Sequence, residues 1–159
     1  MKLSVVIPVM DEEGNIRPMM DTLRHALARV DHEVIFVDDG SRDGTPEAIK
    51  ALADARFRLL ILSRNYGQTT ALAAGIDAAR GEYIATLDGD LQNDPADIPA
   101  MVERMEREGW DVVAGNRKGR KDRWLSRKLP SKIANLLIGR MTGVEPGNLP
   151  TRGGFPARR

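Results

Sequence analysis

Two carboxylates flank a glycine in Leu87-Asp88-Gly89-Asp90-Leu91-Gln92, directly after the apolar run Glu82 to Leu87. Oxygen ligands at that spacing on a glycine-hinged turn suit a hard divalent cation. Such a cation keeps several waters and takes one or two carboxylates together with substrate phosphates. The same residues also suit a plain turn, because Asp and Gly favour turns on their own account. The pair by itself leaves both readings open. Two more acid runs stand in the same place relative to an apolar run: Asp11-Glu12 after Leu3 to Val9, and Asp38-Asp39 after Glu33 to Val37.

The elements between these runs decide how they meet. Leu3 to Val9 is almost continuously apolar, the pattern of a strand covered on both faces. Ile16, Met19, Met20, Leu23, Leu27 and Val30 then recur at helical spacing. Glu33 to Asp38 predicts a second strand. Thr45-Pro46-Glu47 predicts a helix start, with Thr45 as the capping hydroxyl and Pro46 at the first helical position. Ala48, Ile49 and Leu52 form its buried side. Phe57 to Leu62 predicts a third strand and Ser63 to Gly67 a polar loop. A small apolar helix over 69–79 follows, with Leu72, Gly75 and Ile76 suited to close packing and Gly81 as its C-cap. Residues 82–87 predict a buried fourth strand. Asp94-Pro95 opens a fourth helix carrying Ile98, Met101, Val102 and Met105 on one side, and Asp111 to Gly115 predicts a fifth strand. Strands alternating with helices imply right-handed βαβ units and a mostly parallel sheet. In such sheets ligands bind at the carboxyl ends of the strands. All three acid runs therefore converge on one rim. No packing reason for that gathering is visible in the sequence, and a bound cation would offset the repulsion.

Composition narrows the class. The 159 residues are 42% hydrophobic and 30% charged, enough for one soluble domain with a core. Aromatic residues make up only 4%, which argues against a stacking surface for nucleic acid. The absence of Cys removes disulfides, thiolate metal sites and Cys nucleophiles. No basic-then-apolar leader and no span of about 20 apolar residues is expected. A GxGxxG after the first strand and a GxxxxGK[ST] loop are both missing. His25, read as mid-helix, and His32, read as a loop residue at the far rim, suit structural or solvated positions rather than a hydrolase triad.

After Gly115 the character changes. Arg117, Lys118, Arg120, Lys121, Arg123, Arg127, Lys128 and Lys132 are opposed only by Asp122. Such clusters form solvated faces, hold phosphate, or meet an anionic membrane at about 1 kcal/mol per residue. Trp124, Leu125, Leu129, Ile133, Leu136, Leu137 and Met141 add an amphipathic pattern, broken by Pro130, that suits covering the sheet or lying at a membrane interface. Residues 145–159, rich in Pro, Gly and Arg, predict an irregular or disordered tail.

Taken in order, VVIPVMDEEGNI, VIFVDDGSRDGT, LSRNYGQTTALAAGIDAARGEYIATLDGDLQNDP and VVAGNRKGRKDRW resemble the family 2 glycosyltransferases of the GT-A fold. They are most similar to the polyprenyl-phosphate subgroup, such as dolichol-phosphate and undecaprenyl-phosphate sugar transferases. The resemblance covers residues 1–144. It implies a three-layer α/β/α, Rossmann-like nucleotide-diphospho-sugar transferase with a mostly parallel central sheet. Residues 1–144 would be the GT-A domain, its C-terminal part missing, and residues 145–159 the tail. The tail's composition is also what a shifted reading frame in GC-rich DNA gives; a designed truncation and a distinct short protein are the other readings.

The resemblance also implies roles. Pro8, Glu12, Val37, Asp39, Asp88, Gly89, Asp90 and Gln92 would hold the nucleotide sugar. Met10 and Asp11 depart from the aromatic and Asn of the family's first-strand motif. Asp88, Asp90 and Gln92 would meet Mg²⁺ or Mn²⁺ and the diphosphate. Arg117, Arg127 and Ser131 match positions that contact donor and acceptor phosphates, with Asp88, Asp90 and Arg117 closest to the chemistry. The implied reaction is inverting, metal-dependent transfer from a GDP- or UDP-sugar to a polyprenyl phosphate. No nucleic acid is expected as a partner. A homo-oligomer, a cytoplasmic location and contact with the cytoplasmic face of the membrane are compatible with this. The alternatives are a non-catalytic nucleotide-sugar-binding chain and a family 2 transferase with a carbohydrate hydroxyl acceptor. A receiver-like signalling domain, with Lys118 as the required lysine, is a more distant one.

Overall fold

The structure is a computed structural model that describes residues 1–115. Its elements run β1 (Leu3–Val9), α1 (Glu13–Ala26), β2 (His32–Asp38), α2 (Thr45–Leu52), β3 (Phe57–Ile61), α3 (Gln68–Asp77), β4 (Tyr83–Thr86) and α4 (Asp97–Glu108). The four strands form one parallel sheet in the order β3-β2-β1-β4. The chain steps outward from β1 through β2 to β3, then crosses back to place β4 on the other side of β1. That reversal opens a crevice between the carboxyl ends of β1 and β4, the switch point where open α/β sheets bind ligands.

The continuous apolar runs now have their reason. Every residue of β1 and β2 is buried, because both strands are central and both faces are covered. On one face Val5, Ile7, Val9, Val34 and Phe36 pack with Ile16, Met19, Met20 and Leu23 of α1, Ile49 of α2, and Ile98 and Val102 of α4. On the other, Val6, Ile35 and Val37 pack with Ala71 of α3. Gly75 lets α3 lie close, since a Cβ there would sit 2.3 Å from Val6 Cγ1. The result is three layers, helix on sheet on helix.

Several local expectations are corrected. β4 is not buried on both faces. Among the described residues it is an edge strand, and Ile84 is 43% exposed. Thr45 is not a cap: it is the first residue of α2, its N–H is taken by Asp43 Oδ1 at 3.0 Å, and its hydroxyl bonds Asp43 and the Glu12 N–H. Gly81 does not end α3, which closes at Ala78. It is small because a Cβ there would lie 2.5 Å from the Ser4 nitrogen. His25 falls in the last turn of α1, and His32 opens β2, buried, with Nδ1 2.7 Å from the Val30 carbonyl. Asp111 to Gly115 forms no strand among the described residues, and Val112 is 67% exposed. Two adjacent valines make a strand only where a partner backbone takes up their amides.

The amino-terminal rim of the sheet holds a buried polar staple that sequence reading missed. Glu33 accepts from the Ser4 hydroxyl at 2.8 Å, from Arg58 Nη1 at 2.7 Å and from the Arg80 N–H at 2.8 Å. Ser4 Oγ in turn accepts from the Gly81 N–H at 2.8 Å. Strands β1, β2 and β3 are thereby tied to the link between α3 and β4. Burial works against the Glu33 charge, but Arg58, Ser4 and Arg80 outweigh it and hold the carboxyl below its ordinary value.

Residues 1–103 form one compact unit. Of the second, residues 104–115 are described. There α4 ends at Gly109 with φ 66° and a Trp110 N–H to Met105 carbonyl bond, a Schellman-type stop. Glu108 accepts from Trp110, Arg104 and Arg107, which pulls its carboxyl down to about 2. The domain boundary at 144, the tail, Arg117, Arg127 and Ser131 lie outside the described residues.

Candidate functional site

The loops after β1, β2, β3 and β4 all emerge on the carboxyl rim. They enclose an open cleft of about 420 Å³. Of the residues expected to hold a nucleotide sugar, the cleft brings together Pro8, Glu12, Asp39, Asp88, Gly89 and Asp90. Val37 and Gln92 are not in its wall. Val37 is buried under α3, and Gln92 is exposed, its N–H donating to Asp90 Oδ1 at 3.0 Å.

Much of the acidity has a structural use. Asp11, in the left-handed region at φ 54°, takes the Arg42 N–H on Oδ1 at 2.7 Å while its own N–H reaches Ser41 Oγ at 2.9 Å. Glu13 and Asp43 accept each other's loop amides: Gly44 N–H to Glu13 Oε2 and Glu13 N–H to Asp43 Oδ2, both 3.2 Å. Asp38 is buried; its Oδ2 accepts from the Ser41 N–H, and its Oδ1 has no hydrogen-bond partner among the described residues. These carboxylates lace the β1 and β2 loops together, which is the packing reason that the sequence hides. The gathering of acids therefore argues for a cation less strongly than their number suggests.

The cleft acids are arranged differently. Asp39 is buried, and its two oxygens accept from the Tyr66 N–H at 2.8 Å and the Gly67 N–H at 2.9 Å. It thereby pins the β3–α3 loop to the mouth. A carboxylate has about four acceptor positions, so two remain for a ligand donor. Asp88 is half-buried, with Gln68 Nε2 on Oδ1 at 3.0 Å and Asn93 Nδ2 on Oδ2 at 3.4 Å. Asp90 is exposed. Gly89 between them sits against β1, where a Cβ would lie 2.9 Å from Val9 Cγ1. Among the described residues no three His, Cys, Asp or Glu side chains gather as a self-sufficient metal cage. Two carboxylates at a strand end fit a hard cation that draws its other ligands from water and phosphate.

The cleft also contains Met10, Asn65, Gly67 and Gln68. Asn65 Nδ2 donates to Met10 Sδ, so the residue in the family's aromatic position helps form the wall. Ser63 to Gly67 reads as an ordinary polar loop in the sequence. Its place after a parallel strand is the signal that marks it, the same signal that marks the three acid runs.

The sequence matches the family described as Glycosyl transferase family 2 over residues 4–157. The chain belongs to that family. Among curated relatives it is 47% identical over 156 residues to dodecaprenyl-phosphate galacturonate synthase of Rhizobium johnstonii, covering 91% of this chain and 44% of that protein. It is 42% identical over 147 residues to undecaprenyl-phosphate 4-deoxy-4-formamido-L-arabinose transferase of Pseudomonas fluorescens, covering 89% and 43%. The chain thus spans less than half the length of these relatives. Among solved structures, a mannosyltransferase from Pyrobaculum calidifontis in complex with GDP-Man and Mn²⁺ superposes with a TM-score of 0.54 at 27% identity, covering 62% of this chain and 30% of that one. The fold is the GT-A arrangement that the family resemblance implies. Membership in the family displaces the receiver-domain reading.

Proposed function

We propose that this chain carries the donor-binding core of an inverting transferase that moves a sugar from a nucleotide-diphosphate sugar to a polyprenyl phosphate. The observation that carries the reading is the cleft at the β1/β4 switch point, which joins Glu12 and Asp39 to the Asp88-Gly89-Asp90 turn. The two curated relatives named above bear different sugars but share a polyprenyl-phosphate acceptor in their names, so the acceptor is the better-supported half of the proposal. The solved relative with Mn²⁺ and GDP-Man supports a divalent cation beside the diphosphate.

In this reading Glu12 and Asp39 hold the nucleoside side of the donor, and Asp88 and Asp90 hold Mg²⁺ or Mn²⁺ at the diphosphate. The cation, when bound, neutralises charge growing on the departing diphosphate. An acceptor phosphate oxygen attacks the anomeric carbon from the face opposite the leaving group. A new carbon–oxygen bond forms as the bond to the donor's β-phosphate breaks, and the nucleoside diphosphate leaves. A phosphate acceptor is already an anion, so orientation replaces a general base. Arg117, Arg127 and Ser131 are proposed to orient it. No helix among the described residues is long and apolar enough to cross a membrane; contact with the lipid would come from the basic stretch after Gly115.

The test is transfer of radiolabelled sugar from UDP- and GDP-sugars to undecaprenyl phosphate, with and without Mn²⁺. Cation-dependent formation of a lipid-linked sugar is the expected result. Donor binding with no lipid product would replace the transfer reading with that of a nucleotide-sugar-binding chain. Asp88→Asn and Asp90→Asn should each weaken Mn²⁺-dependent nucleotide binding at least about tenfold, or about 1.4 kcal/mol by calorimetry. Unchanged binding in both would remove the metal assignment.

A further inference from the structure

Gln68 is the first residue of α3 and lines the cleft. Its side chain is exposed, yet it is not aimed at bulk water: Nε2 donates to Asp88 Oδ1 at 3.0 Å. The backbone one residue earlier is equally constrained, since the Gly67 N–H is held by Asp39 Oδ2 at 2.9 Å. The body of α3 is fixed by Ala71 and Gly75 against Val6 and Val37. A short relay therefore runs across the cleft, from Asp39 through Gly67 to Gln68 and on to Asp88.

We infer that Gln68 is a positioning residue that aims the Asp88 carboxylate at the divalent cation, and that it links the nucleoside end of the site to the cation end. The inference rests on the proposed assignment of Asp88 as a cation ligand. A neutral amide suits the task better than a cationic side chain. It occupies one acceptor position on Oδ1 and, with Asn93 Nδ2 on Oδ2, restrains the carboxylate, but brings no positive charge against the incoming metal. Hydrogen-bond partners of this kind behind a metal ligand are commonly worth 10- to 100-fold in metal affinity.

The test uses the full chain with Mn²⁺, measured by the electron paramagnetic resonance of free Mn²⁺. UDP and GDP are tried in parallel as the nucleotide. Gln68→Met keeps the length of the side chain and removes the donor. It should raise the Mn²⁺ dissociation constant about tenfold in the nucleotide complex and leave metal-free nucleotide affinity within about twofold. Because the side chain is exposed, its thermal unfolding midpoint should match that of the parent. A Gln68→Met chain that binds Mn²⁺ like the parent, while Asp88→Asn is weakened, overturns the role of Gln68 and leaves the site assignment standing. Equal loss of metal-free nucleotide binding would mark Gln68 as ordinary pocket wall and also overturn the inference. Unchanged Mn²⁺ binding in Asp88→Asn removes Asp88 as a cation ligand and this inference with it, and no Mn²⁺ uptake by the parent with either nucleotide overturns the whole site assignment as well.

Discussion

At the scale of single residues, the acids on the carboxyl rim divide by what their oxygens accept. Asp11, Glu13 and Asp43 take backbone amides of a neighbouring loop, whereas Asp39 and Asp88 do so or are aimed by amides while still facing the cleft. Asp39 is the sharpest case, because one buried carboxylate both builds the β3–α3 loop and lines the site. Asp39→Ala removes two charge-assisted bonds of roughly 1.5–3 kcal/mol each before relaxation. It should speed hydrogen exchange at the Tyr66 and Gly67 amides and weaken nucleotide binding whether or not Mn²⁺ is present. That pattern separates it from Asp88→Asn, whose effect should need the cation. A variant whose Tyr66 and Gly67 amides exchange as slowly as the parent's would contradict the loop-building role.

At the scale of elements, the alternation of strand and helix is readable in the sequence because β1 and β2 are buried on both faces and carry unbroken apolar runs. The carboxyl-rim acids are readable for the same reason: a parallel sheet sends every strand end to one side. What escapes is anything set by a partner distant in sequence. Gly81 looks like a helix stop until β1 is placed beside it, and nothing in the sequence pairs Ser4 and Glu33 with Arg58 and the Arg80 N–H. Val112 and Val113 look like a strand, but a pair of valines does not specify the backbone it would join. The Ser4–Glu33–Arg58 staple can be tested directly. Glu33→Ala leaves the part-exposed Arg58 and the Ser4 hydroxyl without their carboxylate acceptor and should cost about 1–3 kcal/mol in urea unfolding. The pH dependence follows from the lowered Glu33 carboxyl. Its contribution is fully present above the unfolded value of 4.5 and is lost as pH falls through the still lower folded value. The stability gap between the parent and Glu33→Gln should therefore be constant near neutrality and shrink below about pH 4.5. A gap that widened on acidification would contradict the assignment.

At the scale of the whole described unit, the sheet has two ends with different duties. The amino rim is closed by the ion pair of buried Glu33 with part-exposed Arg58, and the carboxyl rim is left open as a cleft. Damage to one should spare the other. Glu33→Ala should lower the unfolding free energy while nucleotide affinity, measured on the folded fraction, stays within about twofold of the parent. Asp88→Asn should do the reverse, because the isosteric amide fills the same half-buried space and still offers one acceptor oxygen to Gln68. Calorimetric binding and urea unfolding on the same two variants check both arms. A loss of both properties in both variants would mean that the rims are not independent.

The reversal of the chain around β1 also bears on the order in which this site comes into being. Pairing β1 with β2 joins Leu3 to His32, but pairing β1 with β4 joins Leu3 to Tyr83, a far longer loop to close. Long-range pairings of this kind form late, after their closure entropy has been met. A chain emerging from the ribosome can therefore assemble the Glu12 and Asp39 wall while Asp88 and Asp90 are still unmade. Nucleotide and cation together would recognise only a chain whose last described strand has docked, which makes their joint binding a report on completed folding as much as on affinity.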